Sequence, residues 1–133
     1  MKTKVQKLIG LAILGVVLFS NSIPAWAGAK SLREVLIKDF ATDSSASGTT
    51  AGARYSGDKQ QYIGCNLLKN GGPAILCVAQ DKTGKSLVCI GNHPKWMAAA
   101  KAITDFSQIY FVTDRNNASC KYLEIQNDSL YFK

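Results

Sequence analysis

The chain has 133 residues, with 16 Lys and Arg, 9 Asp and Glu, and a formal net charge of +7. Three of the lysines belong to a predicted export signal, so the rest of the chain carries 13 basic and 9 acidic residues, a net charge of +4. Those basic residues are scattered singly, which argues against nucleic acid as a partner. The single histidine excludes a multi-histidine metal site.

Residues 1–27 are predicted to be a secretory signal peptide. Lys2, Lys4 and Lys7 precede the apolar run Leu8–Phe19, and Ala25-Trp26-Ala27 matches the small-x-small cleavage pattern. The run is shorter than the roughly 20 residues that span a bilayer, so we expect no stable membrane insertion; an uncleaved anchor is the alternative. The lysine-rich start is typical of bacterial signals. We therefore expect a secreted or periplasmic protein of one domain.

Residues 28–53 are predicted to form an N-terminal helix followed by a flexible linker. Ser31 and Glu34 match a capping box, and apolar residues recur at helical spacing up to Phe40. A helix over about 31–40 is therefore expected, with a strand through 35–37 as the competing interpretation. The stretch 42–53 holds no large apolar residue, which favours a mobile linker.

Residues 54–133 are expected to form the compact part, beginning with a three-stranded meander over 61–91. Its second turn, Lys82-Thr83-Gly84, predicts a three-residue hairpin loop that places Cys77 opposite Cys89. The first turn leaves two registers open, with Cys65 opposite either Leu76 or Cys77. Both faces of the inner strand halves are apolar, which predicts that both faces are covered.

The four cysteines are predicted to form two disulfides, because the chain is exported and has no C-x₂₋₄-C pair for zinc. The outer strands of the meander are too far apart for Cys65 to reach Cys89. Two pairings remain: Cys77–Cys89 with Cys65–Cys120, or Cys65–Cys77 with Cys89–Cys120. The first is preferred, because its hairpin register is the better determined.

The remaining elements complete an α+β fold. A helix is predicted over about Pro94–Asp105, and strands over Phe106–Thr113 and Cys120–Gln126, with a short edge strand at Leu130–Phe132. The order is βββ-α-ββ. This predicts a small antiparallel sheet of about five strands with one main helix packed on it and disulfide bonds within it.

The sequence favours a non-enzymatic binding module that contacts a protein or a cell-envelope polymer. It shows no catalytic motif or free thiol, and we expect no cofactor and no metal. Possible binding residues are Trp96, His93, Tyr62 and Arg115, with contact loops at Lys69–Pro73, Asp81–Lys85 and Asp114–Ser119. His93 and Trp96 have structural alternatives, as a helix cap and a core anchor. The alternative function is a small secreted hydrolase or nuclease that uses His93 with a carboxylate.

Overall fold

The structure is a computed structural model that describes residues 32–72 and 74–127. Over these ranges it has seven strands and two helices in the order β1 Leu36–Asp39, β2 Asp43–Thr49, α1 Thr50–Arg54, β3 Tyr62–Leu68, β4 Ala74–Gln80, β5 Ser86–Gly91, α2 Pro94–Lys101, β6 Gln108–Asp114 and β7 Cys120–Gln126. The α+β disulfide-bonded fold is confirmed. The single sheet of about five strands is corrected to two antiparallel sheets, with orders β1-β2-β6-β7 (sheet A) and β3-β4-β5 (sheet B). The signal peptide and Leu130–Phe132 lie outside the described residues.

Sheet B is the predicted meander. Its second hairpin has the expected register, with Cys77 opposite Cys89 and with Asp81 N donating to Lys85 O at 2.9 Å. Gly84 has a φ of 85°, the left-handed conformation that the loop needs. The first hairpin adopts one of the two open registers, with Cys65 opposite Cys77.

Sheet A contains two strands where a helix and a linker were predicted, so both of those predictions are wrong. β1 pairs antiparallel with β2, and β2 pairs on its other edge with β6. Ser44, Ser45 and Thr49 are buried within β2. A strand with partners on both edges satisfies its backbone groups without large side chains, so tertiary pairing overrides the low strand propensity of this polar stretch.

Thr49 explains why the chain before β1 is extended rather than helical. Its Oγ1 accepts hydrogen bonds from the backbone N of Arg33 and of Gly52, both at 3.0 Å, and its own N donates to Arg33 O at 3.1 Å. These bonds pair Arg33 with β2 instead of with a helical turn. Glu34, expected in a capping box, instead makes an ion pair with Lys82 at 3.2 Å.

Gly52 allows α1 to pass directly against this segment. A Cβ at Gly52 would lie 2.2 Å from Arg33 O, far inside van der Waals contact. Only glycine fits there without a backbone shift.

A second junction joins the start of sheet B to the chain before β1. The buried Gln61 accepts a hydrogen bond from Val35 N on its Oε1 at 2.7 Å. The amide of Gln61 is oriented by Asp58, whose Oδ2 accepts from Gln61 Nε2 at 2.5 Å. These hydrogen bonds hold the pKa of Asp58 down at about 2, with the Gln61 side chain as the largest cause.

The core lies between the inner faces of the two sheets. Its buried apolar side chains come from both sheets and include Val35, Ala46, Ile75, Cys77, Ala79, Cys89, Ile109 and Phe111. The predicted helix is confirmed over Pro94–Lys101 and ends four residues earlier than expected. It contacts β3, β4 and β7, with Ala100 buried, so it covers one edge of this two-sheet stack. The strand predicted from Phe106 begins at Gln108, and β7 has the predicted bounds.

The disulfides are Cys65–Cys77 and Cys89–Cys120, so the preferred pairing of Cys77 with Cys89 is wrong and its alternative is confirmed. The reason is the alternation of antiparallel pairs. Asp81 and Lys85 form a hydrogen-bonded pair, and counting by twos places Cys77 and Cys89 in another such pair, about 5.5 Å apart at Cα. On its other side Cys77 forms the closer type of pair, and its Cα lies 4.0 Å from that of Cys65.

Cys120 reaches Cys89 because the β6–β7 loop runs alongside β5. Ile90 N donates to Ala118 O at 2.8 Å, and the Cα atoms of Cys89 and Cys120 lie 4.8 Å apart. This disulfide therefore links the two sheets.

Candidate binding surface

One face of sheet B points away from the core. Side chains alternate along each strand, so the cysteine face packs inward and the opposite face points outward. The positions that share this side form what we call the outer face: Tyr62, Gly64, Asn66, Leu68, Ala74, Leu76, Val78, Gln80, Ser86, Val88 and Ile90. On the edge strand β5, Ile90 is 48% exposed and Val88 38% exposed, whereas Leu76 and Val78 on the central strand are half-buried. The prediction that both faces of the meander are covered is therefore wrong for the described ranges, because α2 packs at the edge of the core instead.

On β4 and β5 the outer face carries a patch of four apolar side chains. Val78 pairs laterally with Val88, and Leu76 pairs with Ile90 in the next row of the same face. Laterally paired side chains in a sheet have Cβ atoms about 4.5–5.5 Å apart, so these four residues contact one another. None of the eleven residues of the outer face is charged, and its three polar side chains are Asn66, Gln80 and Ser86.

A pocket of about 460 Å³ extends this face at one end. It is lined by Gly71, Gly72, Ala74, Ile90, Gly91, Asn92 and Ser119, and we call it the loop pocket. Gly71 and Gly72 have φ values of 89° and 109°, which turn the first hairpin beside the β5–α2 loop. Glycine residues form much of the wall of the loop pocket, and its two polar side chains are uncharged.

Two of the three predicted contact loops meet at the loop pocket. Gly71 and Gly72 belong to the first hairpin loop, and Ser119 belongs to the β6–β7 loop. The third loop, Asp81–Lys85, lies at the opposite end of β4 and β5. There Lys85 makes an ion pair of 2.6 Å with Asp39, so this loop contacts the β1 region.

His93 and Trp96 lie together beside the loop pocket, with ring centroids 5.4 Å apart. His93 Nδ1 accepts a hydrogen bond from Lys95 N at 3.2 Å, which confirms its role as the cap of α2. Trp96 packs against the core, and a Cβ at Gly91 would lie 2.7 Å from its ring. Within residues 32–72 and 74–127, no hydrogen bond joins His93 to a carboxylate.

Tyr62 and Arg115 lie elsewhere. Tyr62, 44% exposed, is at the far end of the outer face and lines a second pocket of about 530 Å³ with Arg54 and Ile103. Arg115 holds the β1–β2 turn, where its Nη1 donates to Phe40 O at 3.0 Å. The structure therefore brings together two of the four predicted binding residues. The apolar side chains of the outer face were missed, although the double-sided apolar pattern of β4 and β5 was the signal for them.

Several charged side chains of sheet A form ion pairs. Lys121 Nζ lies 2.6 Å from Asp43 and 3.3 Å from Asp114, and hydrogen bonds to these two carboxylates raise the pKa of Lys121. The hydrogen bond from Lys85 lowers the pKa of Asp39.

The described residues include no group of three or more His, Cys, Asp or Glu that could hold a metal ion, and all four cysteines are in disulfides. Neither helix in the described part of the chain has the length and apolar content to cross a membrane. The two disulfides indicate an oxidising compartment. No protein family model, curated protein or solved structure matches this chain.

Proposed function

We propose that the chain, after removal of residues 1–27, is an exported non-enzymatic module that binds a protein through its outer face and loop pocket. The observation that carries this proposal is the uncharged outer face, on which the apolar side chains of Val88 and Ile90 are exposed beside Leu76 and Val78. Contiguous exposed apolar patches are uncommon on soluble monomers and mark sites of interaction.

The chemistry of the surface favours a protein over a charged polymer. The centres of protein interfaces are depleted in charged residues, and the outer face contains none. A polyanion would need clustered cations, and several lysines of this chain are instead paired with aspartate or glutamate.

The rigidity of the surface supports the same role. Cys65–Cys77 joins β3 to β4, and Cys89–Cys120 ties β5 to the sheet A side. A surface held in this way loses little conformational entropy on binding. Inhibition of an exported enzyme, or an adaptor role in the periplasm or outside the cell, fits these properties. The predicted signal peptide and the disulfides support export.

The test compares the mature protein with a Val88→Thr/Ile90→Thr variant as baits for proteins from the envelope and medium of the producing cell. Threonine keeps the β-branched shape, so the sheet is retained while the apolar contact is lost. The matched control is Leu36→Thr, because Leu36 is 51% exposed but lies on β1 in the other sheet.

We expect a protein that wild type and Leu36→Thr retain and that the double variant binds at least about ten-fold more weakly, since two apolar contacts are removed. Equal retention by all three baits contradicts the proposal, as does the absence of any retained protein.

A further inference from the structure

The opposite face of the molecule carries a third, chemically different pocket. Strands β6 and β7 pair Gln108 with Gln126, Tyr110 with Glu124 and Val112 with Tyr122, so these side chains share the outer side of sheet A. Between them lies a pocket of about 190 Å³ lined by Gln108, Tyr110, Glu124 and Gln126. We call it the Glu124 pocket; it is separate from the surface of the proposed function.

Glu124 is held in a fixed orientation by uncharged donors. Its Oε2 accepts a hydrogen bond from the Tyr122 hydroxyl at 2.8 Å, and its Oε1 accepts from Gln126 Nε2 at 2.7 Å. The bond to Glu124 raises the pKa of Tyr122, so the phenol stays protonated and continues to donate. No ion pair between described residues includes Glu124. Its carboxylate is therefore oriented, but its charge has no cationic partner in the described ranges.

Two tyrosine rings lie beside Glu124, and that of Tyr110 lines the pocket. The rings of Tyr110 and Tyr122 lie 5.7 Å apart and inclined by 59°, and Tyr122 is 46% exposed. Aromatic ring faces attract cations through their quadrupole. The buried Oε1 of Gln108 accepts no hydrogen bond from any described residue, so the negative end of that amide dipole is also uncompensated.

We propose that the Glu124 pocket binds an alkylammonium or guanidinium group, as carried by a lysine or arginine side chain or by a polyamine. A fixed carboxylate, the ring of Tyr110 and an unpaired amide oxygen all favour a positive group at one place. A neutral saccharide would supply hydroxyl donors but would leave the carboxylate charge uncompensated. The observations therefore favour the cation.

The experiment is an NMR titration of the folded, disulfide-bonded protein with butylammonium and with ethylguanidinium. Butanol and a methyl glycoside of N-acetylglucosamine serve as neutral ligands. Both cations are expected to shift the amide signals of strands β6 and β7 around Tyr110, Tyr122 and Glu124, and binding is expected to weaken as sodium chloride is raised.

Glu124→Gln keeps the shape of the side chain and removes its charge, so it is expected to weaken cation binding about five-fold, the size of an exposed ion pair. The matched control is Glu34→Gln, which removes an exposed carboxylate paired with Lys82 and is expected to leave cation binding unchanged. A lysine peptide and spermidine then distinguish the two sources of the cation, since the tighter ligand identifies the source.

Three results would overturn the proposal. One is the absence of shifts at this pocket with either cation. Another is equal or tighter binding of butanol or of the glycoside at the same amides. The third is unchanged cation affinity in Glu124→Gln.

Discussion

The two sheets are held together by different means. Sheet B has large aliphatic side chains in its strands, three of the four cysteines and an internal disulfide. Sheet A has at its centre the strand Asp43–Thr49, whose sequence DSSASGT contains no large apolar residue. This strand is stabilised by backbone pairing on both of its edges and by the close approach of small residues.

This difference shows which kinds of strand can be predicted from a sequence. Turn residues and apolar runs identify a strand whose side chains supply the stabilising contacts. They miss a strand whose backbone supplies them. The predictions below compare how much the disulfides, the close packing beside sheet A and the hydrogen-bonded junction between the sheets each contribute to the stability of the fold.

The largest effect is expected from removing the disulfide that links the sheets. Replacing Cys89 and Cys120 by alanine opens a link across a sequence separation of 31, and replacing Cys65 and Cys77 opens one of 12. Loop-closure entropy gives losses of about 3.7 and about 2.8 kcal/mol in the free energy of unfolding. Guanidinium unfolding of both double variants measures the two losses. A larger loss for the shorter link would show that sheet B depends on its own disulfide more than the two-sheet stack depends on the other.

The next effect tests close packing beside sheet A. Gly52→Ala would normally stabilise a helix by about 1 kcal/mol. Its Cβ, however, would lie 2.2 Å from Arg33 O, so we expect the clash to dominate and to lower the free energy of unfolding by about 3 kcal/mol. Gly57→Ala is the control, because nothing lies within 4 Å of a Cβ there, and we expect a change within about 0.5 kcal/mol. Thermal unfolding of both variants measures these changes. An unchanged free energy of unfolding in Gly52→Ala would mean that the segment around Arg33 is loosely held.

The smallest effect concerns the junction between the sheets and depends on pH. The pKa of Asp58 is lowered from 3.8 to about 2 by hydrogen bonds that the ionised carboxylate accepts. A lowered folded-state pKa means that this stabilisation is complete above the unfolded value and is lost as pH falls from about 4 through about 2. Asp58→Asn is expected to lower the melting temperature at neutral pH and to flatten the decline in acid.

Asp105→Asn provides the control for charge, because Asp105 takes part only in an exposed ion pair with Arg54. An acid profile of Asp58→Asn that matches wild type would contradict a role for Asp58 at the junction.

Much of sheet B could be predicted from its turns, and its disulfide pairing could also have been predicted from the same register. The hairpin at Gly84 fixed the register of Cys77 against Cys89. The same count shows that this pair is of the wide, hydrogen-bonded type, which favours the bond from Cys77 to Cys65 on the other side. β2 could not be predicted, because its partner strand β6 lies about sixty to seventy residues away in the chain. β1 overlaps the strand through 35–37 that was the competing interpretation, and it pairs with β2.

The candidate surface was only partly predictable for a related reason. His93 as a cap is readable from the proline that follows it. Whether the second apolar face of the meander is covered depends on where α2 packs, and no local pattern contains that information. The Glu124 pocket needs the register of β6 against β7, which places Tyr110 opposite Glu124.

The topology of sheet A has a consequence for the order of events during synthesis. Its first two strands precede residue 50 and its last two follow residue 107, with all of sheet B between them. Contacts that are local in the chain form first, because they close short loops. In a chain that emerges from its N-terminus, β3, β4 and β5 can therefore pair before β6, the neighbour of β2, has appeared. The fold can therefore close only after the C-terminal quarter of the protein has been made.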